Sequence, residues 1–167
     1  MQRKQFIRTG LTGFAALGTG LIYGRTNSVS DNDPVKIEII KEFVIAGHNN
    51  PDRVKEMLGN LPNLVFARYD WGNGDFEEAI EGAGHVGNRE IAEYLIRQGA
   101  RVNLFVLTML GKTKLVKPVL EEFPELIFAR GPHGFSLLHH AEAGGVEAQE
   151  LYEFFESRGL KEMKFSM

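Results

Sequence analysis

The sequence predicts an all-α fold, a short solenoid of about four helix-turn-helix units with reduced hairpin loops between them. Three observations predict it: a duplicated segment, apolar residues at helical spacing, and turn-forming residues that recur about every 32 residues. Of the 167 residues, 43% are hydrophobic and 25% are charged, which is typical of folded soluble domains. The chain is therefore expected to form a packed core.

The duplicated segment is the clearest of these signals. Residues 61–68 read LPNLVFAR and residues 123–130 read FPELIFAR, an offset of 62 residues. Upstream of both octamers, the pairs Met57-Leu58 and Val119-Leu120 match at the same offset. A match that extends from a helix into the following octamer indicates a repeated structural unit, not a chance peptide.

Capping and spacing signals place paired helices in these units. Asn50 precedes Pro51, which puts a good N-cap residue before a proline at the first helical position. Three apolar runs at helical spacing follow along the chain: Val54, Met57, Leu58 and Leu61; Ile91, Tyr94 and Leu95, before Gly99; Leu151, Phe154 and Phe155, before Gly159. Pro118 predicts a short or kinked helix, because an internal proline removes a backbone hydrogen bond.

Four residues are predicted to turn the chain between the two helices of each unit: Asn49, Gly87, Gly111 and Gly145. Asn49 suits a glycine position, because asparagine tolerates the left-handed backbone that helix ends often need. Only 24 residues separate Gly87 from Gly111. We therefore expect the second unit to run into the third without a hairpin loop, which makes the array irregular.

Two segments resemble the ankyrin repeat. Residues 83–103 resemble its second half, in which a glycine ends the first helix and Gly-Ala-Asp-Val-Asn follows the second, with Arg101 in place of the aspartate. Residues 134–141 resemble its opening, Gly-x-Thr-Pro-Leu-His-x-Ala, with Ser136 and Leu137 in place of threonine and proline. The turn interval also lies close to the ankyrin period of about 33 residues. Residues 35–167 are accordingly identified as an ankyrin-like repeat domain.

The resemblance implies roles for individual residues. It assigns the structural repeat motif to Asn49, Gly87, Gly99, Gly111, His139, Ala141 and Gly145. It also implies that His139 hydrogen bonds backbone groups between adjacent repeats. Because ankyrin arrays usually bind other proteins, the resemblance implies a non-catalytic protein-binding module.

In such arrays the loops between successive units, the fingers, contact the partner. We call residues 69–76 the first finger and residues 130–135 the second finger. The predicted partner contacts are Asp70, Trp71, Asn73, Asp75, Phe76, His133 and Phe135. Trp71 has two interpretations, an exposed interface anchor or a plug that fills the groove between repeats. The partner is expected to be another protein.

The N-terminal residues are expected to lie outside this domain. Arg3, Lys4 and Arg8 precede an uncharged stretch at 9–24, the order of a signal peptide. Residues 3–8 resemble a twin-arginine export signal with Lys4 in place of the second arginine. Residues 1–26 are therefore predicted to be a signal peptide or N-terminal anchor, and 27–34 a polar linker. Export to the periplasm or cell envelope is the expected consequence, with membrane contact only through this segment if it is not cleaved.

Several chemistries lack their sequence signals. The net charge of −3 and the lack of a basic run argue against nucleic acid, and the chain has no cysteine. His48, His85, His133, His139 and His140 lack the spacing of helical zinc motifs, so no metal or other cofactor is predicted. The acidic residues Asp70, Asp75, Glu77, Glu78 and Glu81 are interpreted as a solvated face.

No catalytic activity is predicted on these grounds. Two alternatives stay open. The first is a metal-dependent enzyme that uses histidine and aspartate residues of the fingers. The second is a subunit whose array holds its own oligomer together.

Overall fold

A computed structural model describes residues 33–167; the predicted signal segment and residues 27–32 of the predicted linker lie outside the described residues. Within the described part, no helix is long and apolar enough to cross a bilayer. The α-helices are α1 Ile37–Asn49, α2 Pro51–Asn60, α3 Ala79–His85, α4 Arg89–Arg97, α5 Leu104–Met109, α6 Thr113–Glu122, α7 Leu137–Gly144 and α8 Gln149–Ser157. The strands are β1 Arg68–Asp70 and β2 Phe76–Glu78. The predicted all-α class is confirmed for the body of the domain.

The helices follow one another as four pairs, α1 with α2, α3 with α4, α5 with α6, and α7 with α8. The first helices pack side by side in the order α1, α3, α5, α7, and α2 also contacts α4 while α6 contacts α8. Phe43, Ile80 and Leu95 belong to a hydrophobic cluster in the N-terminal half. Leu137 and Phe155 belong to a second cluster in the C-terminal half. Each pair therefore buries its apolar faces against its neighbours.

The turns inside the pairs are of two kinds. Gly87, Gly111 and Gly145 all have positive φ angles, between +63° and +75°. Asn49 does not, and the prediction of a left-handed backbone there is wrong: Asn49 is the last residue of α1. Asn50, at φ −125° and ψ 79°, redirects the chain instead, and its side chain accepts a hydrogen bond from the Arg53 backbone N–H, which caps α2.

Pro118 does not shorten its helix. α6 has ten residues, as many as α2, and it continues four residues beyond the proline. A proline at this position leaves the carbonyl of Lys114 without its helical donor. Both Lys114 and Pro118 are exposed, so water can hydrogen bond that carbonyl.

The fingers differ in structure. The first contains a two-stranded antiparallel hairpin in which Tyr69 pairs with Glu77. Its tip has three consecutive residues with positive φ, Gly72, Asn73 and Gly74. The second finger is a short 3-10 turn, Pro132–Gly134, in which His133 has a φ of 58°. Residues 98–103 join α4 to α5 without a strand.

Candidate functional site

The predicted partner contacts divide into two groups. Asp70, Asn73 and Phe76 are exposed, and Phe76 has 46% of its surface accessible. The other four are only partly exposed and are engaged inside the chain: Trp71, Asp75, His133 and Phe135. This second group lies around one buried carboxylate, that of Glu77.

The two fingers are joined by a direct hydrogen-bonded contact. Asp75 Oδ1 accepts from the backbone N–H of His133 at 2.8 Å. Asp75 Oδ2 lies 2.6 Å from Nδ1 of the same residue. A carboxylate that holds both the backbone and the ring of His133 fixes the direction of its second ring nitrogen. That nitrogen, Nε2, lies 3.4 Å from Oε2 of Glu77.

Glu77 is the centre of the cluster. It is fully buried, on β2. Its Oε1 lies 2.9 Å from His85 Nε2 and 3.4 Å from His48 Nε2, and these two nitrogens are 3.1 Å apart. Its Oε2 accepts a hydrogen bond from Trp71 Nε1–H at 2.9 Å. The ligand-capable atoms of His48, Glu77, His85 and His133 all lie within 4.8 Å of one another.

The acidic residues around the first finger are not all a solvated face, and for three of them that interpretation is wrong. Glu77, Glu78 and Glu81 are buried. Glu78 and Glu81 form a reciprocal capping box at the start of α3, and Arg68 lies within salt-bridge distance of both. Burial raises the pKa of Glu81, while the Glu78 backbone N–H and Arg68 oppose the shift. These carboxylates have structural partners that the charge pattern alone does not reveal.

Four separate segments contribute to the cluster. His48 lies near the end of α1, Glu77 on β2, His85 at the end of α3, and His133 in the second finger. α1 and α3 can approach closely because Gly47 has no side chain. A Cβ on this residue would come within 2.4 Å of the Ala79 carbonyl oxygen. A Cβ on Gly82 would lie 2.8 Å from the His48 ring, so the lack of a side chain there admits that ring.

Hydrogen bonds fix the proton positions on two of the rings. His48 Nδ1 lies 3.0 Å from the Val44 carbonyl oxygen, which can only accept, so Nδ1 carries the proton. The Asp75 carboxylate likewise accepts a hydrogen bond from His133 Nδ1–H. In their neutral forms both rings therefore direct an Nε2 lone pair toward Glu77. Burial lowers the pKa of His85, and the hydrogen bond to Glu77 opposes that shift.

The cluster has a buried side and an open side. The side chains of Glu77 and His85 are 0% and 8% exposed, whereas those of His48 and His133 are 22% and 24% exposed. The open side faces a groove of about 710 Å³, which we call the α1 groove. Its lining consists of Glu42, Ile45, Ala46, His48, Asn49, Asn50, Arg53, Trp71 and His133. A ligand in this groove would reach the two half-exposed imidazoles first.

Aromatic packing supports the cluster from the C-terminal side. The Phe135 ring stacks on His139 at 4.0 Å and on His85 at 5.1 Å. His139 Nε2 lies 2.8 Å from the carbonyl oxygen of His85, a contact between the second and fourth helix pairs and not between adjacent ones as the resemblance implied. Phe135 is therefore packed within the domain. Two other residues of the predicted repeat motif also have structural roles: Ala141 is buried, and Gly99 follows α4 with a positive φ.

Sequence reasoning did not select His48, Glu77 or His85 as site residues. Their separations along the chain fit no local metal motif, and only the packing of α1, α3 and the fingers unites them. One local signal was available. Asp75 and Glu77 are two residues apart, and in a strand that spacing places both side chains on the same face.

Comparison of the chain with protein-family models gives no match, and comparison with curated protein sequences gives none either. The function must therefore be argued from the site itself.

Proposed function

We propose that residues 35–167 are an ankyrin-like array that binds another protein without catalysing a reaction. The α1 groove carries this proposal. It is open to solvent and lies between the first helix of the array and the finger residues Trp71 and His133, which is where the motif resemblance puts a partner. The four stacked helix pairs and the irregular fingers are compatible with a degraded ankyrin pattern.

The groove has the mixed character of a binding surface. Ile45 and Trp71 supply apolar area, and Ile45 is 51% exposed. Arg53 lies in the same groove and pairs with Glu42 at 2.7 Å. An apolar centre with a charged rim is the arrangement from which protein interfaces are commonly built.

Site-specific cross-linking tests the proposal. A photoreactive residue at position 45 is expected to give one defined protein adduct in the native cell envelope. The same residue in place of Leu115, an equally exposed apolar side chain on α6 outside the groove, is expected to give none. Equal adducts from both positions, or no adduct from position 45, would exclude the α1 groove as the contact surface.

Export belongs to the same proposal, since the partner is sought in the envelope. It rests on the basic start and the uncharged stretch of residues 1–26. Fusion of residues 1–30 to a reporter that is active only outside the cytoplasm should give signal, and Arg3→Gln with Lys4→Gln should reduce it. A silent intact fusion would argue for a cytoplasmic protein.

A metal-dependent enzyme is the second candidate, and the convergence of three imidazoles on Glu77 favours it. Such an enzyme needs a bound ion with one side accessible to substrate, and the half-exposed rings of His48 and His133 line an open groove. Zinc-loaded protein should then hydrolyse a chromogenic ester, amide or phosphoester, and Glu77→Gln should abolish turnover. If zinc-loaded protein turns over none of the three substrate classes, the enzyme is excluded for them and the protein-binding module explains the groove better.

A further inference from the structure

We propose that His48, Glu77, His85 and His133 bind one divalent transition-metal ion, with zinc as the ion that best fits the four donors. The inference goes beyond partner binding and does not depend on it. It starts from the separations between the donor atoms. Four donors about 2.0 to 2.1 Å from a tetrahedral zinc ion lie about 3.3 to 3.4 Å from one another.

Three of the donors approach that value around Glu77 Oε1. His48 Nε2 and His85 Nε2 lie 3.4 Å and 2.9 Å from this oxygen, and the two nitrogens are 3.1 Å apart. His133 Nε2 lies 3.4 Å from the other oxygen of the same carboxylate, Oε2, and the ligand atoms of all four residues lie within 4.8 Å of one another. Small movements of these side chains would therefore place all four donors around one ion.

The proton positions on the rings favour a cation between the imidazoles and Glu77. The Nε2 lone pairs of neutral His48 and His133 are directed at a carboxylate that is itself an acceptor. Lone pairs that face a buried carboxylate repel it unless a proton or a metal ion lies between them. The Trp71 indole N–H already donates to Glu77 Oε2, and His85 Nε2–H is the one remaining donor among the neutral rings, so it cannot serve both lone pairs. A metal ion would replace that proton on His85 Nε2.

Three of the four donors, His48, His133 and Glu77, are hydrogen bonded on the side away from the ion, as metal ligands usually are. The Val44 carbonyl orients His48, and the Asp75 carboxylate orients His133. The Trp71 indole N–H orients Glu77 through its second oxygen. A histidine whose other ring N–H donates a hydrogen bond to a carboxylate or a carbonyl is made more basic and is held in the tautomer that binds metal.

Charge and donor type select the class of ion. Glu77 and Asp75 together carry two negative charges beside neutral imidazoles, which balances one divalent cation. Three nitrogen donors and one carboxylate suit zinc, cobalt or nickel better than magnesium or calcium, which prefer oxygen donors. The chain has no cysteine that would favour a softer ion.

Metal titration of the chain tests the inference. After chelator treatment and dialysis, the protein should bind one equivalent of zinc in calorimetry, and zinc should raise its melting temperature. Cobalt in place of zinc should give the visible absorption of a four-coordinate site, and zinc should bleach it. Asp75→Asn should weaken zinc binding 10- to 100-fold, as expected for loss of a group that orients a ligand.

Variants of the half-exposed histidines separate binding from folding. His48→Asn and His133→Asn should keep the far-ultraviolet circular dichroism of the parent and lose the stoichiometric zinc site. His140→Asn is the matched control, because this histidine is buried outside the cluster and should keep one equivalent. Failure of the parent to bind zinc, or full binding by both His48→Asn and His133→Asn, would overturn the metal site and leave a protonated histidine cluster in its place.

Discussion

The two copies of the duplicated octamer adopt the same backbone and then diverge. Leu61 and Phe123 end their helices with φ, ψ of −137°, 80° and −127°, 75°. Each is followed by a five-residue 3-10 turn, Pro62–Phe66 in the first copy and Pro124–Phe128 in the second. The octamer therefore encodes a local structure, an exit from the second helix of a pair, wherever it occurs in the chain.

The segments after the two octamers contribute most of the site. After the first copy the chain forms the β1–β2 hairpin, which supplies Trp71, Asp75 and Glu77. After the second it forms the short turn that supplies His133. The same exit thus leads to a carboxylate-bearing finger in one unit and an imidazole-bearing finger in another. The repeated octamer gives both units the same turn, and the different segments that follow supply the carboxylates and the imidazole of the cluster.

Burial also distinguishes the two copies. Leu64 in the first copy is 1% exposed, whereas Leu126 at the equivalent position of the second is 36% exposed. Leu64 belongs to the N-terminal hydrophobic cluster, while Leu126 is at the surface. The same residue in the same type of 3-10 turn is therefore expected to contribute differently to stability.

The largest expected effect tests that difference. Leu64→Ala should lower the free energy of unfolding by about 2 to 5 kcal/mol, because it removes buried methyl groups and leaves a cavity. Leu126→Ala should cost less than about 1 kcal/mol, since its side chain already contacts water. Urea unfolding of both variants checks the comparison. Equal losses would mean that the second copy is as deeply packed as the first.

The pH dependence of stability distinguishes α3, the first helix after the first octamer, from α7, the first α-helix after the second octamer. In α7, burial lowers the pKa of His140 from 6.5 to about 3. The unfolded chain therefore binds a proton between these values that the folded chain does not, so stability falls as the pH drops through this window. In α3, burial raises the pKa of Glu81. The folded chain therefore binds this proton more tightly than the unfolded chain does, and protonation of Glu81 at low pH increases stability.

His140→Asn should remove the first of these effects. Asparagine keeps an N–H where His140 Nδ1 lies 2.7 Å from the Ser136 carbonyl oxygen, but it does not titrate. From about pH 8 to about pH 5 the parent should lose roughly 2 kcal/mol more than the variant. Glu81 is present in both chains and cancels in the difference. Parallel stability curves for the two chains over this range would show that His140 titrates normally in the fold.

The contact between the fingers should be measurable as a coupling. In metal-free protein, a double-mutant cycle of Asp75→Ala and His133→Ala should give an interaction free energy of about 0.5 to 3 kcal/mol, as expected for directly bonded residues. A matched cycle of Asp70→Ala with His133→Ala should give nearly none, because the structure gives Asp70 a hydrogen bond only to the Gly72 backbone N–H. Additive effects in the first cycle would mean that the two fingers do not support each other.

Local signals predicted most of the scaffold. The octamer, the helical spacing and the turn glycines depend on neighbours in sequence, and the helix pairs lie where these signals indicated. The failure at Asn49 was local too, because the next residue, Asn50, redirects the chain. At Pro118 the helix continues, and solvent can satisfy the carbonyl left free.

The site could not be predicted in the same way. Glu77 is one of five acidic residues close together in the sequence, a pattern typical of a solvated face. Its burial depends on contacts between the two fingers, which the sequence does not show. His48 and His85 are 37 residues apart, and their rings meet through the close packing of α1 on α3. Contacts of this kind depend on helix approach distances, which neither composition nor spacing encodes directly.

The smallest expected effect concerns the helices that lead into the two octamers. Asn50 caps α2 with its side chain, whereas Lys112 at the equivalent position of α6 makes no side-chain cap. Asn50→Ala should therefore cost about 1 kcal/mol in the free energy of unfolding, and Lys112→Ala nearly nothing.

The converse change, Lys112→Asn, tests whether the second copy can acquire the cap. Its backbone, at φ −82° and ψ 59°, is close to that of Asn88, which caps α4 through its side chain. The Leu115 backbone N–H, however, already donates to the Lys112 carbonyl at 2.8 Å, so a new side-chain acceptor has less to satisfy. The gain should therefore be a few tenths of a kcal/mol, smaller than the loss at Asn50. Thermal unfolding of Lys112→Asn against Lys112→Ala isolates it, and a gain as large as the Asn50 loss would show that the short backbone contact at Leu115 contributes little.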